Sequence, residues 1–134
     1  MTPTTVAEEF LEERLGGVLV GGVWQDEAPV DTLFPYCLVE YQNGQDRVVV
    51  GGNIRGSDLL YAVGVWTKDT DYRTAEALFD TVHSSLHGGR DISTPSGMVQ
   101  SCLRERNTSV MKKAYLDGSS WYRYVGAIYR VKVI

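Results

Sequence analysis

The chain has 134 residues, with 13 Lys and Arg against 17 Asp and Glu, a formal net charge of −4, and 43% hydrophobic residues. That length fits one domain spanning 1–134, large enough to bury a modest core without staples. The acidic balance argues against a duplex-binding surface, which needs clustered Lys and Arg to neutralise phosphates. No apolar run approaches the ~18 residues a membrane span requires, so no membrane partner is expected. The first residues lack the basic and apolar regions of a secretory signal. Cys37 and Cys102 form no Cys-x-x-Cys pair, so they read as reduced, half-buried strand residues of a cytoplasmic protein.

The pattern predicts a first helix over 5–15. Thr5 caps it, Glu8 completes a capping box, and Gly16-Gly17 ends it. Val6, Ala7, Phe10, Leu11 and Leu15 fill one half of its wheel. Glu8, Glu9, Glu12 and Glu13 fill the other, either as a docking face or as a solvated surface. Val18 to Trp24, broken by Gly21-Gly22, reads as a short strand or an extended connection, and 25–35 as a loop turning at Pro29 and Pro35. Tyr36 to Tyr41 is a strand. Asn43-Gly44 predicts a tight hairpin with 47–50 as the return strand, and Gly51 to Ser57 reads as a flexible polar loop.

Leu59 to Thr67 is the next strand. A second helix spans 72–87, capped by Asp71 and stopped by Gly88-Gly89. Its apolar stripe is Ala75, Leu78, Phe79, Val82 and Leu86. Met98 to Arg106 alternates as a strand, Asp117-Gly118 marks a turn, and 121–134 is a long last strand.

Two strands are apolar on both faces. In 59–67, Leu59, Tyr61, Val63 and Val65 alternate with Leu60, Ala62 and Trp66. In 121–134, Trp121, Val125, Ala127, Tyr129, Val131 and Val133 alternate with Tyr122, Tyr124, Ile128 and Ile134. Such strands need cover on both sides. Two helices cover one face of a four-stranded sheet about 19 Å across; loops or another copy must cover the second, and so large an apolar area points to neighbouring copies. One helix on each face would leave both half covered and also leave surface to pair. Tyr61, Trp66, Trp121, Tyr122, Tyr124 and Tyr129, with the basic Arg104 and Arg106, are the candidate interface residues. Lys112 and Lys113 extend that basic group.

Candidate chemistry is sparse. His83 and His87 lie four apart, with Glu76 and Asp80, on the helix face predicted to oppose the apolar stripe. Two imidazoles and a carboxylate at that spacing suit a metal. A metalloprotease needs Glu after the first His, where Ser84 stands. The run Gly51-Gly52-Asn53-Ile54-Arg55-Gly56 is neither a phosphate loop nor G-x-G-x-x-G, and no Gly-x-Ser-x-Gly elbow occurs. No cofactor, metal or catalytic residue is predicted.

The order of elements resembles the tail terminator, or tail completion, proteins of long-tailed bacteriophages. The likeness rests on the N-terminal helix with Val6-Ala7-Glu8-Glu9-Phe10-Leu11 and on Phe34-Pro35-Tyr36-Cys37-Leu38-Val39-Glu40-Tyr41. It rests also on the junction from Leu60 through Asp71-Tyr72 into Ala75 to Val82, the helix end Leu86-His87-Gly88, and the closing strand Tyr122 to Val133. The Gly21-Gly22 insertion and the loop 107–120 fit no part of that pattern.

The resemblance implies an α+β fold, with a mostly antiparallel sheet of four to five strands and two helices packed mainly on one face. It implies a homo-oligomer, a hexameric ring that caps the tail tube protein and binds a head-neck connector protein at the virion's tail-neck junction. DNA would pass through the lumen without specific binding, and no catalytic residue carries over. The segment 44–56, with Gly44, Gly51, Gly52, Arg55 and Gly56, is the candidate tube-contacting loop. The rivals are a head-closure or neck adaptor ring, and a small metal-dependent enzyme or ligand-binding domain using the His83/His87 face.

Overall fold

A computed structural model describes residues 2–48, 54–69, 72–107, 111–113 and 121–134, with side chains for 2–46, 56–68, 73–107 and 122–134. Helix α1 runs Pro3–Leu15 and is capped by Thr2, not Thr5; the Thr2 hydroxyl accepts from the Thr5 N–H at 3.4 Å. Pro3 explains the earlier start, because its fixed φ and missing N–H suit the first helical turn. Val6, Ala7, Phe10, Leu11 and Leu15 are all buried, as their spacing predicts. Burying each large one is worth about 1.5–3 kcal/mol.

Seven strands follow: β1 Val23–Gln25, β2 Tyr36–Val48, β3 Ile54–Asp69, β4 Gly89–Thr94, β5 Gly97–Asn107, β6 Met111–Lys113 and β7 Trp121–Val133. Helix α2, Tyr72–Leu86, lies between β3 and β4. The strands form one sheet in the order β1-β2-β3-β7-β5-β4, with β6 also on β7. The fold is α+β, but the sheet exceeds the four to five strands expected. Neither β4 nor β6 carries apolar alternation, and their pairing is set by their neighbours. All described pairings are antiparallel except β1 with β2, which is parallel.

The predicted hairpin at Asn43-Gly44 does not form. Both residues sit inside β2, paired with Leu60 and Leu59 across a register shift after Tyr41. The bulge absorbs the irregularity, so the strand continues through a sequence that locally favours a turn. Arg47 and Val48 are therefore the end of β2 and not a return strand. The predicted loop 51–57 is likewise strand from Ile54 onward, while 49–53 lies outside the described residues, as do the Asp71 cap and the Asp117-Gly118 turn. Within 107–120, Met111–Lys113 is strand where a loop was expected.

β3 and β7 are the spine, paired without a break from Ser57↔Val133 to Asp69↔Trp121. Both helices lie on one face, where Leu59, Tyr61, Val63, Val65, Val125, Ala127, Tyr129, Val131 and Val133 meet α1 and α2 in one core. The opposite face has its own small cluster of Leu38, Trp66 and Tyr124, with Phe34, Tyr36 and Tyr122 packed against it.

Two glycines fix the far side of that fold. Gly64 and Gly126 pair across β3 and β7, and the Tyr124 ring lies over both, in the space a Cβ would fill. Gly21 lets the backbone at Leu33 and Pro35 close onto it: its N–H donates to the Pro35 carbonyl at 2.8 Å, and a Cβ there would land on the Leu33 carbonyl oxygen. Gly21→Ala collides with backbone that cannot rotate away. It is expected to destabilise the chain by about 1–3 kcal/mol, read as a lower midpoint in thermal unfolding. An unchanged midpoint would show that the 29–35 loop does not depend on this close approach.

Candidate assembly surface

The second face of the sheet is not bare. Ala62, Trp66, Tyr124 and Ile128 are between 4% and 9% exposed within a single chain. Of the two covers expected for this face, loops or a neighbouring copy, the chain itself supplies the first in part, through Phe34. The chain covers it in part with its own aromatics, since Trp66 and Tyr124 pack at 5.1 Å and Phe34 stacks on Tyr122 at 5.3 Å. Such ring pairs add about 0.5–1.5 kcal/mol beyond area burial.

The candidate interface residues fall into three groups. Tyr61 and Tyr129 are fully buried in the helix-side core. The Tyr61 hydroxyl donates to Glu8 at 3.4 Å, and the Tyr129 hydroxyl lies 2.7 Å from His83 Nδ1. Burial inside the subunit leaves these two no area to give a partner. Trp66 and Tyr124 belong to the second cluster, and Tyr122 is half-buried at its margin. Arg104 and Arg106 are exposed on β5. The side chains of Trp121, Lys112, Lys113 and Arg55 are outside the described set, and so are Gly51 and Gly52. Gly44 and Gly56 sit in paired strands.

The His83/His87 face is also corrected: it is not a free polar face. His83 is half-buried against β7, because it flanks the apolar stripe closely enough to reach Tyr129. His87 stacks on His83 at 4.7 Å and accepts the Arg104 N–H at Nδ1, 3.1 Å away. One nitrogen of each ring is thus engaged in tying α2 to β5 and β7. Among the described residues, no group of three His, Cys, Asp or Glu side chains is placed to hold a metal. The acidic half of α1 is partly docked as well, since Glu9 accepts from the Ser96 N–H at 3.1 Å. Burial pushes the thiols of Cys37 and Cys102 up to about 12, so both stay protonated and unreactive.

Sequence reasoning missed an exposed apolar group on the 18–35 segment. Val20, Val30 and Leu33 are 77%, 101% and 66% exposed. Their only sequence signal was apolar residues among turn formers. At the other edge of the sheet, β4, β5 and β7 enclose a hollow of about 310 Å³ lined by Arg90, Asp91, Gln100, Ser101, Leu103 and Lys132.

Comparison with protein families gives a match to the model of Tail completion protein gp17 over residues 13–123. The chain belongs to that family. This makes it a structural phage tail completion protein and a virion component. In the solved virion of the native gene transfer agent (GTA) particle, one chain is similar to this tail completion protein. The TM-score is 0.57 and the identity 17%, covering 96% of this chain and 92% of that one. At such identity the likeness shows a shared fold. A comparison with curated proteins finds no match. No described helix of the tail completion protein is long and apolar enough to cross a membrane.

His83 gives the surface a pH signature. Burial first, then Arg104 and His87, holds its pKa below the ordinary 6.5. A base so shifted binds its proton more readily in the unfolded chain. Its share of stability is therefore full above pH 6.5 and is lost as pH falls from there through the folded value. Urea unfolding at pH 7.5 and 5.5 should show a smaller loss of stability on acidification in His83→Gln than in the parent. Equal losses would mean that His83 is not held in its neutral form by this packing.

Proposed function

We propose that this tail completion protein is a tail terminator: 1–134 acts as one domain, copies close into a ring, most simply a hexamer, and the ring caps the tail tube protein and then receives the head-neck connector. The role is geometric and involves no catalysed reaction. Adding one ring stops tube growth because its outer side offers no further polymerising surface. Assembly takes place in the host cytoplasm, and the ring stays at the tail-neck junction of the virion. DNA passes through a lumen to which an acidic chain gives little to adhere.

The observation that supports this reading, beside the family match, is the direction of two strand pairings. The long β2–β3 ladder runs past the end of β7, since Ser57 pairs with Val133 while Arg47 and Gly56 pair beyond it. The short β6 pairs with Tyr122, Arg123 and Tyr124 toward the opposite end of β7, where Asp69 pairs with Trp121. The two strand ends of each subunit therefore differ, which suits a layer with a different neighbour on each side. At the β2–β3 end, 44–56 is the tube-contacting segment, with Gly44, Gly51, Gly52, Arg55 and Gly56. Tyr122, Arg104 and Arg106 remain the candidate side chains for contacts between copies or with the neck.

Particles from an infection lacking this chain should contain tubes of abnormal length and separate filled heads by negative-stain microscopy. Purified protein added back should bind tails before heads. Binding to heads and not to tails would favour the rival, a head-closure adaptor. Replacing residues 49–53 with Ser should leave the oligomer intact and abolish head-tail joining; normal joining would sink the assignment of that segment to the tube.

A further inference from the structure

The exposed apolar residues of the 18–35 segment and the hollow on β4, β5 and β7 lie at opposite edges of one sheet. β1 ends the strand order on one side and β4 on the other. Phe34, close in sequence to Val30, packs on Tyr122 at one end of β7, whereas Lys132 of the hollow lies ten residues along that strand, about 33 Å away, so one chain cannot fill its own hollow. A ring of identical copies needs this kind of arrangement, two different and complementary patches on opposite sides of each subunit.

The two patches complement each other in polarity and charge. Pro29, Val30, Asp31 and Thr32 form a turn closed twice on the Pro29 carbonyl, by the Thr32 N–H at 3.0 Å and the Thr32 hydroxyl at 2.7 Å. Val30 and Asp31 are its two corner residues, so an apolar side chain and a carboxylate stand side by side on a pre-formed knob. Residues 16–46 contain Asp26, Glu27, Asp31, Glu40 and Asp46 and no Lys or Arg. The hollow is the converse. Leu103, 41% exposed, gives it an apolar wall. Arg90 and Lys132 outnumber Asp91 in its lining. Neighbouring Arg130 is already engaged by Glu105 at 2.6 Å and Asp58 at 3.6 Å, which leaves those carboxylates occupied.

We propose that the Val30–Asp31 turn of one copy seats in the β4-β5-β7 hollow of the next, with Val30 against Leu103 and Asp31 between Arg90 and Lys132. This rests on the ring reading above and names the surface that closes it. The contact is heterologous, so it closes a ring with neither patch left over when the rotation between copies divides a full turn. The charge pair fixes orientation, because two knobs or two hollows brought together meet like charges.

Disulfide trapping in the full chain tests it. Val30 is wholly exposed and Gln100 is an exposed residue lining the hollow, so V30C/Q100C leaves the core untouched. The native cysteines are both buried. A disulfide spans about 4.4–6.8 Å between Cα atoms, too little to join the two sites within one copy. The double variant is oxidised with diamide, free and bound to purified tail tubes, and analysed by non-reducing gel and native mass spectrometry.

The expected result is a ladder of covalent multimers from the double variant that neither single variant gives. Adding D31K should reduce the ladder about tenfold, and adding K132E to that chain should restore most of it. Oligomers by native mass with no ladder would overturn this contact and leave the ring reading standing. No species above one copy, either free or on tubes, would overturn both.

Discussion

Everything in this subunit depends on the unbroken pairing of β3 with β7. These strands are apolar on both sides, so their ladder must be buried on both sides, and the chain solves the two sides differently. On one, α1 and α2 lay their apolar stripes over Tyr61, Val63, Ala127 and Tyr129. On the other, where no described helix lies, Tyr124 folds flat across the Gly64 and Gly126 pair and packs on Trp66. Side chains thus act as a thin cover for a sheet, at the cost of two positions that tolerate no Cβ.

That solution bears on how copies meet. A broad greasy face would favour two-fold pairing of like surfaces, which ends in dimers. With its faces largely self-covered, the sheet instead leaves its remaining contacts to the two edges and to the two strand ends. Edges that differ from one another suit head-to-tail repetition, and ends that differ suit a layer inserted between unlike neighbours. Both properties follow from the strand order and the pairing directions.

Much of this was legible in the residues. Periodicity located the core of both helices, the β3 and β7 spine, and β5, because burial on a regular element leaves a period in the sequence. Turn chemistry misled at Asn43-Gly44, where a long partner strand overrode the local preference through a bulge. The cap shifted to Thr2 because Pro3 outweighed the Thr5 to Glu8 pattern. β4 and β6 left no signal, being short edge or flanking strands stabilised by their neighbours. The interface aromatics were harder still: alternation shows that Tyr61 and Tyr129 lie in strands, but not that the helices on that face would bury them completely. The Val30 knob was invisible because exposure of a single loop valine has no periodic signature.

If this chain completes the tail, it does so as one discrete layer. Cryo-electron microscopy of tube ends, from purified tails incubated with the protein, is the decisive measurement. A single ring of this chain is expected at the head-proximal end of each tube and none along its length. Copies scattered along the tube wall, or tube ends identical with and without the protein, would contradict it.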